Sequence, residues 1–250
     1  MEVNEHTNNV DVLAICAHPD DAELCCGGTL AKLTREGKKV VVADCTRGEM
    51  GTRGTPEIRA EEARRASEIL GIAERVNLNM RDGYVSDMPE NLIDMIELIR
   101  HYRPKIIITH PPFERHPDHE AVHKLVRNAL FKSGLAKIHT EREGVPQKTF
   151  RTRRIFCFMQ SYQFQRKPDF YVDISDVHDV KIEAIEAFSS QVFVPGFDGT
   201  NEMPTRLASP EFREELVARA RYFGGVIGAK YAEAFISVEP VWMKSMSAFL

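Results

Sequence analysis

The 250-residue chain has no apolar run near the roughly 18 residues that a membrane span requires, so no membrane association is expected. It lacks the charge excess of a nucleic-acid binder: 33 Lys and Arg stand against 37 Asp and Glu, a formal net charge of −4, and nucleic acid is not an expected partner. It lacks an even set of cysteines. The five at positions 16, 25, 26, 45 and 157 make no disulfide framework, and Cys25 and Cys26 are adjacent, which points to reduced thiols. Neither GxGxxG nor GxxxxGK[ST] occurs, which argues against a nucleotide site. The first ten residues, MEVNEHTNNV, contain no apolar stretch of the signal-peptide kind, so a cytoplasmic location is expected, with residues 1–9 as a flexible N-terminus.

What the chain does have is alternation. VDVLAICAH (10–18) and KKVVVADCT (38–46) read as buried strands, with a helix over 29–36 between them stopped by Gly37. Thr55 followed by Pro56 is an N-cap and first-turn proline, opening a helix to Leu70. A strand over 75–80, a helix over 89–102, a strand over 105–110 and a helix over 119–131 follow. Further strands are expected over 154–162, 170–175 and 234–241. Helices are expected over 180–188, capped by Asp176, and over 210–222. The stretches 140–153 and 195–209 read as long surface loops, and loops of that length near a site often act as lids. The β-α-β-α order predicts an α/β fold: one Rossmann-like domain spanning 1–250, its mostly parallel sheet covered by helices on both faces.

Ligands of such sheets bind at the carboxyl ends of the strands. Three polar junctions fall there: His18, Asp20 and Asp21 after the first strand, TRGEMGTRG (46–54) after the second, and HPPFERHPDH (110–119) after a later one. Imidazole and carboxylate are the donors that zinc takes, and a catalytic zinc keeps one position open for water. His18 and Asp21 sit on one short turn and can reach one ion. A third donor could be His116, His119, or the i, i+4 pair His119 and His123.

AHPDDAELCCGGTLA and RHPDHEAVHKLV together resemble the zinc-dependent de-N-acetylases of the PIG-L/LmbE type. DCTRGEMGTRGTPEIRAEEA and YFGGVIGAKYAEAFISVEPV resemble the branch that deacetylates N-acetylglucosaminyl-malate in bacillithiol biosynthesis. The resemblance implies metal ligands His18, Asp21 and His119 for one Zn2+ per chain, with Fe2+ suited to the same donors. It implies Asp20 as the general base, and His116 facing the reaction centre with Asp118 as its orienting partner, holding it charged. It leaves His123 as an ordinary histidine. It implies hydrolytic removal of acetate from an N-acetylglucosamine conjugate, and a homo-oligomer, often a hexamer. Other amino-sugar or thiol conjugates are the rival substrates, and a non-catalytic zinc module is the rival class. Arg47, Arg53 and Arg115 flank the junctions and suit substrate carboxylates, because guanidinium pairs with them bidentately. Glu49 in the same loop is expected to pair with an arginine or accept a sugar hydroxyl.

Overall fold

The computed structural model describes residues 9–161, 163–196, 203–243 and 245. Period-two alternation along the first strand, β1 (Val12–Cys16), decides how the layers form. Leu13 and Ile15 point into a core with Met95, Ile96, Leu125 and Val126, from α3 (Pro89–Tyr102) and α4 (Pro117–Ser133). Val12, Ala14 and Cys16 point the other way, into a core with Ala22, Leu24 and Cys26 of α1 (Asp21–Arg35). A strand apolar on both faces demands cover on both faces, and the helices supply it.

The remaining strands are β2 (Val40–Thr46), β3 (Glu74–Met80), β4 (Ile106–Thr109), β7 (Ile155–Phe158), β8 (Phe170–Asp173) and β9 (Ala232–Ser237). The remaining helices are α2 (Pro56–Leu70), α5 (His178–Glu186) and α6 (Pro210–Ile227). The seven-stranded sheet runs β3-β2-β1-β4-β7-β9-β8. The β3-to-β7 portion is parallel, and β9 pairs antiparallel with both β7 and β8. The chain moves outward from β1 through β2 to β3, then crosses back to lay β4 on the other side of β1. The carboxyl ends of β1 and β4 therefore flank the topological switch point, where such sheets hold ligands. The expected fold class is the observed one.

Several boundaries differ from expectation, four of them instructively. Helix α1 begins at Asp21, eight residues before the expected start, and runs through Gly27 and Gly28. These glycines do not break it; they allow close approach, since a Cβ on Gly28 would lie 2.8 Å from Ile174. Helix α4 begins at Pro117 with His116 as its N-cap. Helix α5 is preceded by Val177 and not capped by Asp176, whose carboxylate is taken by Lys32 at 2.9 Å. The expected loop over 140–153 carries a small hairpin, β5 (Glu141–Arg142) and β6 (Val145–Pro146). Residues 1–8 of the expected flexible N-terminus and 197–202 of the second expected loop lie outside the described residues.

Candidate metal centre and active site

Cys16 ends β1, and the chain turns through His18 and Pro19 into α1. Asp20, the residue before the helix, has φ 110°, a strained conformation for a residue with a side chain. That strain turns Asp20 and Asp21 in different directions.

Asp21, the first residue of α1, is held on every side. Its Oδ2 accepts the His18 backbone N–H at 2.9 Å and lies 3.3 Å from His110 Nε2. Its Oδ1 accepts the Gln160 side-chain amide at 2.6 Å. Across the switch point, α4 presents His119. His18 Nδ1 and His119 Nε2 are 3.3 Å apart, His18 Nδ1 and Asp21 Oδ2 3.4 Å, and His119 Nε2 and Asp21 Oδ1 3.5 Å. A tetrahedral zinc with ligand bonds of about 2.0–2.1 Å separates its ligands by about 3.3–3.4 Å, so the two imidazole nitrogens, with the two Asp21 oxygens each near one of them, are spaced to suit such an ion. Burial holds the His119 imidazole well below its ordinary pKa, which leaves the ring neutral with a lone pair to donate.

His18 is oriented from behind. Its Nε2 lies 3.1 Å from Asp82 and 3.5 Å from Asp118. Burial opposes charge on this ring, but hydrogen bonding to Asp118, Asp21 and Asp82 outweighs it and raises the pKa well above the usual value. A carboxylate behind a histidine fixes its tautomer and aims its other nitrogen, here Nδ1, into the donor set. Asp82 is itself fixed by the Met50 N–H at 2.8 Å, and its own N–H goes to Glu49 at 2.8 Å. His18, His116 and Asp118 also lie close enough to form a donor set. The Asp118 carboxylate, however, is engaged by the backbone N–H groups of Gly83 at 2.7 Å and Val85 at 3.2 Å.

Asp20 is buried, and its Oδ2 lies 3.2 Å from Arg59 Nη2. Burial pushes its pKa up to about 7, against the pull of the Arg59 guanidinium. Arg59 also donates to the carbonyls of Pro19 at 2.5 Å and Gly48 at 3.1 Å. Gly48, at φ 67°, must lack a side chain, because a Cβ there would sit 1.8 Å from Arg59. His18, Asp20, Asp21, Arg115, His116 and His119 all line one cavity of about 260 Å³.

Several expected roles change. Asp118 does not orient His116 through its carboxylate. Its backbone N–H donates to His116 Nδ1 at 3.2 Å, which leaves Nε2 to carry the proton of a neutral ring. Burial and the neighbouring His18 both lower the His116 pKa, so the ring is not held charged. Arg47 turns away from the cavity to Glu57 at 2.8 Å. Arg53 donates to the Ser190 carbonyl at 2.8 Å and braces a neighbouring loop. Glu49 accepts N–H groups of Arg47 and Asp82 and does not line the cavity. Only Arg115 of the three arginines reaches it. His123 faces elsewhere, its Nδ1 2.8 Å from the His110 carbonyl.

Sequence reasoning missed Arg59, Asp82, His110 and Gln160. Two signals were available: His110 ends a predicted strand, and Asp82 follows another, both at the edge where ligands bind.

A doubly covered, mostly parallel sheet, with a two-imidazole, one-carboxylate donor set at its switch point and a separate buried carboxylate beside it, is a frame that can hold a metal ion next to a base. The profile of the PIG-L family, described as GlcNAc-PI de-N-acetylase, matches residues 13–130. The diacetylchitobiose deacetylase of Thermococcus kodakarensis is 31% identical over 256 residues, covering 97% of this chain and 89% of that protein. A Bacillus cereus protein named as a probable N-acetyl-alpha-D-glucosaminyl L-malate deacetylase 2 is 31% identical, covering 72% of this chain and 83% of that one. The crystal structure of the conserved protein TT1542 from Thermus thermophilus superposes with a TM-score of 0.81 at 36% identity, covering 95% of this chain and 98% of that one. The chain belongs to the PIG-L family.

Proposed function

We propose that the protein hydrolyses the acetamide of an N-acetylglucosamine conjugate, releasing acetate and the free amine, with N-acetylglucosaminyl-malate as the conjugate. The observation that carries the reaction is Asp20: a buried carboxylate with its pKa near 7, beside the donor set and not part of it. A structural metal site needs no such spare base, which disfavours a non-catalytic zinc module.

His18, Asp21 and His119 would hold the ion. When bound, zinc or ferrous iron supplies Lewis acidity, which an unreactive amide requires. Asp20 takes a proton from the attacking water as its oxygen bonds to the carbonyl carbon. It returns that proton to nitrogen as the C–N bond breaks. His116 Nε2–H donates to the carbonyl oxygen as negative charge builds there. Arg59 keeps Asp20 in place, and Asp82 keeps His18 in place.

The malate reading is supported by Arg115, an exposed cation on the cavity wall, and by the Bacillus cereus relative. A second reading, diacetylchitobiose, is favoured by a relative that matches along almost the whole chain. Metal-loaded protein assayed on N-acetylglucosaminyl-malate, N-acetylglucosamine, N-acetylglucosaminyl-inositol and diacetylchitobiose separates them. Arg115→Ala should lower kcat/KM for the malate conjugate by about 10-fold, the discounted value of a solvent-exposed charged hydrogen bond. It should leave N-acetylglucosamine unaffected. Diacetylchitobiose turned over much faster than the malate conjugate would decide for the second reading.

A further inference from the structure

The 260 Å³ cavity over the donor atoms adjoins a second cavity of about 930 Å³, and the two share Gln160, Ser161, Arg206, Phe212 and Arg219 as walls. The larger one runs between α6 and the segment that follows β7. Phe164, Tyr171, Phe212, Leu216, Tyr222 and Val226 line it. Tyr222 is 70% exposed and Val226 52%, so both present apolar surface to solvent.

The charges on its walls are mostly spent internally. Arg166 is bound by Asp169 at 2.6 Å and Arg206 by Glu215 at 2.6 Å. Arg219 donates to the carbonyls of Gln160 and Leu24. Among the described lining residues, the exposed Lys167 is the remaining cation. A groove whose arginines are already engaged leaves the malate carboxylates to Arg115 on the smaller cavity. It offers several aromatic and aliphatic surfaces to an apolar group, and burial of such a group is favourable.

We propose that this groove is a second subsite, beside the one that Arg115 marks, and that the enzyme also takes N-acetylglucosaminides carrying an aryl or alkyl aglycone in place of malate. The inference rests on the deacetylase reading for the sugar's position and goes beyond it in the conjugate it selects. The five shared wall residues place the groove beside the cavity that presents the acetamide, within reach of the same molecule. The link is also mechanical. Gln160 gives its carbonyl to Arg219 on the groove wall and its amide to Asp21 in the donor set.

The test uses methyl, phenyl and hexyl N-acetylglucosaminides with the metal-loaded protein. Phenyl and hexyl glycosides should exceed the methyl glycoside in kcat/KM by about 10- to 100-fold, the range expected for burying a ring or several methylenes. In Tyr222→Ser and Val226→Asp that ratio should fall below about 3-fold, since the first removes apolar surface and the second places a charge against it. Calorimetric binding of the hexyl and methyl glycosides to Asp20→Asn should show the same preference without turnover. Turnover of all three glycosides at equal efficiency, with equal binding, overturns the groove assignment and leaves the deacetylase reading intact. No hydrolysis of any glycoside, with the hexyl glycoside still bound more tightly, overturns the deacetylase reading and keeps the groove. A change in oligomeric state in Tyr222→Ser or Val226→Asp, with the ratio untouched, assigns the groove to a second copy of the chain and overturns the proposal.

Discussion

Two adjacent aspartates of the same chemistry end in different surroundings because one residue, Asp20, takes a strained backbone. Asp21 faces three imidazoles and an amide, while Asp20 faces Arg59. Asp20→Asn should therefore retain about one metal per chain by elemental analysis while kcat falls about 10²- to 10⁴-fold, the range for loss of a positioned acid/base. Metal lost together with activity would exchange the roles of the two residues. His119→Ala should lose metal and activity together, whereas His123→Ala, whose ring bonds to the His110 carbonyl, should keep both. The HPDD and HPDH motifs were legible in the sequence because polar residues crowded between apolar runs have no role in a core. The orientation of Arg53 was not legible. A flexible loop between glycines can fold over a ligand or away from it, and here the Ser190 carbonyl, 137 positions along the chain, decides the matter. Asp82 and Arg59 escaped notice for the same reason: each acts through a partner distant in sequence.

At the scale of elements, α1 shows how far local preference can mislead. Two consecutive glycines predict a helix that starts after them, at a cost of about 1 kcal/mol each inside a helix relative to alanine. The structure keeps them inside because α1 passes hard against Ile174. Gly225 of α6 is the contrasting case, with open space around its Cβ position. Gly225→Ala should raise stability by about 0.5–1 kcal/mol through helix propensity alone. Gly28→Ala gains the same propensity but drives a methyl into a fully buried isoleucine, a cost of about 1–3 kcal/mol, so the net change should be destabilising. Thermal unfolding of the two variants reads the opposite signs directly. Strands and capped helices such as α2 were legible because period and cap agree there. Starts such as those of α1 and α4 were not, because function places its residues on the first turn.

At the scale of the molecule, the antiparallel strand β9 is fastened to helices α1 and α5 by a buried carboxylate and its ion pair. Glu233 of β9 accepts the backbone N–H groups of Gly28 at 3.0 Å and Thr29 at 2.8 Å, and it pairs with Lys181 of α5 at 2.5 Å. Glu233→Ala leaves the lysine buried and unpaired, and should cost about 3–5 kcal/mol in urea unfolding. Joint replacement, Lys181→Met with Glu233→Leu, should recover most of that loss, since an apolar pair of similar volume needs no partner. A double variant as unstable as Glu233→Ala would show that the contacts to Gly28 and Thr29 carry the stability.

The order of the strands has a further consequence for how such an enzyme diversifies. His18, Asp20, Asp21, His116 and His119 all fall within residues 13–130, the span matched by the family profile. The aromatic groove belongs entirely to residues beyond it. On the proposed reading, the cleaving residues and Arg115 lie in the matched span, and the groove's share in the choice of conjugate lies in the remainder. A chimera that keeps residues 1–150 and takes its remainder from a relative should cleave the same bond in a different molecule.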